Sequence, residues 1–543
     1  MANNDAMVVA PQPEAVEAGV DILKAGGNAV DAAIASALVQ EVIDPLMCGI
    51  AGFGSMAVYL PETGMHEYID FHAPAPLGAR PDMWADLVEG EARDGYGFFV
   101  KDNLNLIGYQ SACVPASLKA FWVAHQRHGR LPWSELFSPA IHWARNGWTV
   151  RPHVAAMFHL EELVGCLPPT AAYLAYSESG RKLYCRNDGT PKRIGDRVIN
   201  GDLANVLEII SSKGADEFYE GEIAEQIVTD MREHGGLISR DDLKSFRPRI
   251  NPPLWGDYRG YRVSTNSPPG GGIMLIEMLN ILENFDLGSL GHNSAEYIKV
   301  VSEAMRFATI DKDRYVGDPA FIDVPIERLS SKSYARELAE RIMRDERAEV
   351  PRLNSGFPRK DTTHVSILDK DGGCVSLTHS LGVPSGVITS GLGFMYNGCM
   401  SIFDPRPGNP GSIAPGKARF SSICPSILFK GDEPYLVIGA PGATQIAMGV
   451  LQVVLNVLDF GMSMSDAVMG ARFSATSTPL DVSNRIPHAV TRVLESQGYE
   501  VIRSPLSHTF AFVHGIRVRE GRADGGADPG TDGMAMLANA RLP

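Results

Sequence analysis

The stretch "FPRKDTTHVSILDKDGGCVSLTHSLG", residues 357–382, decides the fold. A basic, proline-bearing segment runs into Asp361-Thr362-Thr363-His364, and apolar and polar residues then roughly alternate to Leu368. That alternation predicts a half-buried strand over 363–368, and Cys374 to Ser380 predicts a second one. Asp369-Lys370-Asp371-Gly372-Gly373 reads as the turn between them. With a loop of those five residues, Leu368 faces Cys374, Ser366 faces Ser376 and His364 faces Thr378. The same register sets Thr362 opposite Ser380 on one face, with Cβ atoms roughly 4.5–5.5 Å apart. Two hydroxyls therefore meet at the mouth of the hairpin, which is a place for chemistry.

Around that hairpin the chain has the composition of a soluble globular protein. Its 543 residues are 44% hydrophobic and 21% charged, ordinary proportions for a large globular unit. A net charge of −15 argues against a phosphate-binding surface, so no nucleic-acid partner is expected. The seven cysteines are far apart and form no CxxC pair, which favours a reducing compartment over a disulfide scaffold. No basic segment followed by an apolar one opens the sequence, and no apolar run reaches the roughly 18 residues of a membrane helix. A cytoplasmic protein with no membrane partner is the expectation.

Upstream, residues 14–44 predict two helices broken at Gly26-Gly27, the second apolar all round and so buried. "GIAGFGSMAVYL" (49–60) is a glycine-rich entry into a strand. Its order of helix, glycines, strand is wrong for a nucleotide-binding loop. Residues 115–230 read as mainly helical, and 256–285 as strand, turn and helix. The Pro268-Pro269-Gly270-Gly271-Gly272 turn could seat an anion at the helix start or be a plain turn. A charged helix over 328–350 and an irregular linker (351–360) precede Thr362, after which strands and turns dominate, with a helix near 442–459. The linker ending at a suspect threonine looks like a fragment boundary.

The chain holds no GxSxG elbow, HExxH or GxxxxGK[ST] motif. His66 and His72 are spaced for no standard zinc pattern, and Cys374, Cys399 and Cys424 read as small core residues; no metal is expected. Thr362 remains. A threonine hydroxyl is a weak nucleophile unless a base adjoins it, and its own α-amino group can be that base. Such an amine has a pKa of about 7.7–8.0, close to working pH. It becomes available only if the bond after Asp361 is cut. On the hairpin alone, a threonine that simply opens a strand is the plainer reading.

A wider resemblance shifts that balance. "TTHVSILDKDGG" and "LTHSLG" resemble the start of the small subunit of gamma-glutamyltransferases (glutathione hydrolases), self-cleaving N-terminal-nucleophile hydrolases. The likeness extends along nearly the whole chain. It includes "GVDILKAGGNAVDAAIA" (19–35), "DEFYEGEIAEQI" (216–227), "GDYRGYRV" with "LNILENFD" (256–286), "RFSSICPSI" (419–427) and "GAPGATQI" (439–446).

The resemblance implies an α+β, four-layer αββα sandwich, made as a zymogen and cut between Asp361 and Thr362. Residues 1–361 would be the large fragment and 362–543 the small one, held together as a heterodimer, with a dimer of heterodimers as a further assembly. Thr362 would be the nucleophile and Ser380 the hydroxyl that buttresses it. Gly442 and Ala443 stand where a glycine pair supplies oxyanion N–H groups, and an alanine at positive φ there would be strained. Ser421 and Ser422 match a serine pair that binds the substrate's α-carboxylate. The partners implied are a small amide substrate and water or an amine acceptor, and no cofactor is expected.

The glutamyl-binding positions depart from the family pattern. The carboxylate-pairing arginine of a "DFRE" stretch is His72 in "DFHAPAP". The Gln and Asp of "NNQMDDF", which hold the α-amino group, are Cys399 and Ile402 in "YNGCMSIFD", with Asp404 two residues on. A substrate-binding asparagine is replaced by Gly382. Each lost charge-assisted contact is worth on the order of 1.5–3 kcal/mol. The expected activity is therefore a gamma-glutamyltransferase-like amidohydrolase or acyltransferase acting on γ-glutamyl or related small acid amides. Its alternatives are an acylase on a non-glutamyl acid amide, of oxamate or glutaryl type, and an uncut binding protein.

Overall fold

The computed structural model describes residues 5–160, 168–353, 355–356, 362–504 and 510–538. Two antiparallel sheets form its centre. The strands that matter are β1 (Met7–Ala10), β2 (Phe53–Leu60), β3 (Met65–Phe71), β4 (Arg249–Asn251), β5 (Leu254–Tyr258), β6 (Tyr261–Thr265), β7 (Thr363–Leu368), β8 (Cys374–Ser380), β9 (Ser426–Lys430), β10 (Glu433–Gly439), β11 (His514–Arg519), β12 (Arg522–Gly526) and β13 (Met534–Leu537). Among the described residues, the first sheet runs β13-β1-β7-β8-β2-β3-β4 and the second β12-β11-β10-β9-β6-β5.

The expected break at Gly26-Gly27 separates α1 (Pro13–Lys24) from α2 (Ala29–Ile43). Gly26 takes φ +98°, and Asn28 caps α2 through a reciprocal box with Asp31. Every residue of α2 is buried, because the helix lies on β7 and β8. On the far side, α3 (Gly272–Leu282) and α4 (Ile446–Leu458) cover the second sheet. Helix, sheet, sheet, helix is the four-layer order expected. The charged helix near 328–350 spans Lys332–Met343. No helix among the described residues is long and apolar enough to cross a membrane.

The hairpin pairs in the register its turn dictates, from Thr363 against His379 to Leu368 against Cys374. Asp369 locks the turn by accepting N–H bonds from Asp371 (3.0 Å) and Gly373 (2.7 Å), and a third from Ala29 (2.9 Å) at the start of α2. The strands are not half-buried, however. Every residue of β7 and β8 is buried, because the polar face meets the second sheet instead of water. Near the turn that face is apolar, with Leu368 and Cys374 packed on Val437 and Ile516. Further along, Ser376 donates to the Ile438 carbonyl at 2.9 Å. His364 lies 2.8 Å from Thr378 Oγ1 and 2.9 Å from Ser366 Oγ through its two ring nitrogens. Buried polar side chains are tolerated there because each finds a partner.

Candidate active site

Thr362 precedes β7 by one residue, so its position is set by what anchors that strand. Thr363 points the other way and accepts hydrogen bonds from Gln12 Nε2 (3.1 Å) and Gln40 Nε2 (3.0 Å). Gln40 also donates to the His364 carbonyl at 3.1 Å. With that end fixed, Thr362 Oγ1 donates to Ser380 Oγ at 3.1 Å. Ser380 Oγ in turn accepts the Gly382 N–H at 2.8 Å. The Gly382 backbone reaches this position with φ +74°, in the left-handed region. Thr362 is 5% exposed and opens onto a narrow pocket that also meets Ser421, Ser422, Ala443 and Thr444. Asp361 lies outside the described residues.

The turn after β10 supplies the facing wall. Gly442 takes φ +144°, and a Cβ built there would lie 2.6 Å from Cα of Ala511. Only glycine fits. Ala443 takes φ +53°, the strained conformation its sequence position suggested, at a cost on the order of 1–2 kcal/mol. Its methyl is buried in a small cluster with Tyr96, Phe99 and Val383. Next to it, Thr444 Oγ1 donates to Asp94 at 2.7 Å, and Asp94 also accepts the Tyr96 N–H at 3.0 Å. The turn is thereby tied to the 94–96 loop.

Ser421 and Ser422 lie in the irregular segment leading into β9. The Ser421 N–H donates to the Pro269 carbonyl at 2.9 Å, and Ser421 Oγ accepts the Ile423 N–H at 3.2 Å. Gly271 N–H donates to the Ile423 carbonyl (2.9 Å) and Gly272 N–H to Asn266 Oδ1 (3.1 Å). Those donors are spent inside the protein, so the Pro-Pro-Gly-Gly-Gly turn is a backing for the serine pair. The closeness demands glycine, since a Cβ on Gly271 would lie 2.5 Å from the Ser422 carbonyl oxygen.

Of the positions that depart from the glutamyl pattern, His72 and the neighbouring Asp404 line cavities other than the Thr362 pocket. His72 follows β3 and lines a separate cavity with Asp70, Arg249 and Pro269. Burial, with the Arg419 and Arg249 charges, pushes its pKa down to about 3, so it is neutral near pH 7. Asp404 is held by Arg406 through bonds of 2.9 and 2.8 Å and by Asn409 at 2.8 Å. It faces a neighbouring cleft with Phe98 and Arg352. Ile402 does line the Thr362 pocket, as apolar surface. Cys399 Sγ is 3.5 Å from Nη1 of Arg419.

Arg419 itself lines the pocket and is 3% exposed. In the sequence it heads "RFSSICPSI", a position from which no role is expected. The available signal was its place two residues before the serine pair that lines the same pocket.

Residues 15–538 match the family described as gamma-glutamyltranspeptidase. The chain belongs to that family. It is 36% identical over 504 residues to an acylase ACY 1 proenzyme of Pseudomonas sp. (strain V22), covering 92% of this chain and 88% of the relative. It is 32% identical over 543 residues to the glutathione hydrolase proenzyme of Escherichia coli (strain K12), covering 96% and 90%. Among solved structures it resembles the cephalosporin acylase from Bacillus halodurans, with a TM-score of 0.85, 28% identity and coverage of 98% and 96%. Family and fold are thus those of self-cleaving N-terminal-nucleophile hydrolases, and the relatives include both glutathione hydrolases and acylases.

Proposed function

We propose that this gamma-glutamyltranspeptidase-family protein is an autoprocessed amidohydrolase whose nucleophile is Thr362, acting on a small acid amide that lacks an α-amino group. The 3.1 Å contact between Thr362 Oγ1 and Ser380 Oγ, inside the pocket that holds Ser421, Ser422 and Ala443, carries this reading. Thr362 Oγ1 first attacks the Asp361 carbonyl, the peptide nitrogen leaves as the Thr362 amine, and water opens the resulting ester. In turnover the free amine takes the hydroxyl proton as Oγ1 attacks the amide carbon, then returns it to the leaving nitrogen. The N–H groups of Gly442 and Ala443 face the developing oxyanion. A single donor of this kind is worth roughly 10²–10³ in kcat. Water, or an amine acceptor, then releases the acyl group from Thr362.

The pocket's lining supports a substrate without an α-amino group. Among the described residues, no carboxylate lines it, and Asp404 is already engaged by Arg406 and Asn409. An ammonium buried without a partner costs several kcal/mol, an expense on the order seen for isolated ions in a dry site. The relatives named glutathione hydrolases keep the γ-glutamyl reading as the alternative substrate. Mass spectrometry of purified wild type and Thr362→Ala tests the nucleophile. Two fragments, the smaller starting at Thr362, are expected only in wild type. An intact wild-type chain after long incubation would sink the proposal.

A further inference from the structure

Resting on the Thr362 reading, we infer that Arg419 is the specificity determinant, pairing with a second carboxylate on the acyl group so that the substrate is the monoamide of a short dicarboxylic acid. Arg419 supplies the one charged side chain on the Thr362 pocket among the described residues. Its guanidinium stacks over the Phe53 ring with Cζ 4.4 Å from the centroid. Phe53 is paired directly with Ser380 across β2 and β8, and Ser380 is hydrogen-bonded to Thr362. The cation therefore lies over β2, with β8 alone between that strand and the nucleophile's.

Arg419 is a buried cation with no carboxylate within ion-pair distance among the described residues. Its Nε donates to the Phe420 carbonyl at 2.9 Å, and Nη1 has only the Cys399 sulfur at 3.5 Å. The remaining guanidinium donors find no acceptor among the described residues. Buried arginines are ordinarily matched by an anion, and the planar fork fits a carboxylate two bonds at a time.

Two of the departures from the glutamyl pattern then have one explanation. A Cβ on Gly382 would lie 3.1 Å from Nη1 of Arg419 and 3.0 Å from Cys399 Sγ, so a side chain there would press on the guanidinium. Cys399 adds a soft, uncharged acceptor at the same Nη1. His72, kept neutral by burial and by the Arg419 charge, adds no competing cation. The same arginine that attracts a carboxylate repels an α-ammonium, so one residue accounts for both halves of the selectivity.

The test compares malonyl, succinyl and glutaryl p-nitroanilides with their carboxamide isosteres in wild type, Arg419→Met and Arg419→Lys. The best carboxylate donor should exceed its isostere in kcat/KM by about 10- to 150-fold in wild type, the range for hydrogen bonds to a charged group. That ratio should fall close to one in Arg419→Met, with self-cleavage intact by mass spectrometry, and lie between the two in Arg419→Lys. An Arg419→Met enzyme that is cleaved, active and still prefers the carboxylate overturns the inference. Calorimetry of wild type with succinate against succinamate scores the charge preference without turnover or a folded variant. Equal binding of the two overturns the Arg419 assignment. Preference for succinate in a protein that neither cleaves itself nor hydrolyses amides would support Arg419 and overturn the Thr362 reading instead.

Discussion

Thr362 and Ser380 face each other at the open end of the β7–β8 hairpin, their hydroxyl oxygens 3.1 Å apart, with Ser380 held in turn by the Gly382 N–H. The serine is an acceptor fixed by its own backbone, so it orients the threonine without needing to move. Ser380→Ala should leave the fold intact and slow turnover by about two- to twelve-fold, the worth of a hydrogen bond of roughly 0.5–1.5 kcal/mol. Steady-state kcat with a single donor, beside a thermal melt, checks this. An unchanged kcat would show that the contact does not orient the nucleophile.

The pH profile separates two bases. If the Thr362 amine takes the proton, only its neutral form works, so activity should rise with pH through roughly 7.7–8.0, the usual range of an α-amine. His364 points along the same face, but both its nitrogens are already engaged, by Thr378 and Ser366. Burial, and the nearby His514 and His379, hold its pKa well below the usual histidine range. It stays neutral across the working range and gives no inflection there. His364→Gln should therefore keep the rising limb and most of the activity, whereas Thr362→Ala should abolish turnover. Loss of activity in His364→Gln as complete as in Thr362→Ala, with normal cleavage, would hand the role to the histidine.

The hairpin was legible in the sequence because a five-residue turn and a period of two leave little freedom of register. The full burial of β7 and β8 was not. Ser366, Ser376 and Thr378 read as water-facing residues, and the sequence does not reveal that β10 lies over them with the Val437 and Ile438 carbonyls as acceptors. The strain at Ala443 was readable from one substitution against the family pattern. Arg419 was hidden for a different reason. Its surroundings come from Phe53, Gly382 and Cys399, three places remote from it in the chain, so the departures looked like separate losses. Only when folded do Gly382 and Cys399 adjoin a single guanidinium.

The Gly442-Ala443 turn, proposed above to supply the oxyanion donors, predicts opposite outcomes at its two residues. Gly442→Ala drives a methyl to 2.6 Å from the Ala511 backbone, which must shift the turn and its N–H groups. Activity should fall by about 10²-fold or more, the loss expected for a misplaced oxyanion donor. Ala443→Gly relieves the φ +53° strain but removes a buried methyl and loosens the unfolded chain. Those effects offset, so activity should stay within about threefold and stability within roughly 1 kcal/mol of wild type. Kinetics and thermal melts of the two variants decide it. Equal damage at both positions would show that the turn's geometry is not what matters.

Self-cleavage at Thr362 should not release two separate domains. Residues before the cut supply β1, β2, β3 and β4 to the first sheet, and residues after it supply β7, β8 and β13. β7 sits between β1 and β8, and β8 between β7 and β2, so each fragment is hydrogen-bonded to the other on both sides of the hairpin. The second sheet is shared as well, with β5 and β6 from the large fragment continuing onto β9. α2 of the large fragment adds its buried face to β7 and β8. Separating the fragments would expose the inter-sheet core, which is the same cost as unfolding. The cleaved protein should therefore elute as one species in size-exclusion chromatography and lose its secondary structure and its fragment association in one denaturant transition. Dissociation at a denaturant concentration where far-ultraviolet circular dichroism is still native would show that the shared sheets do not bind the fragments.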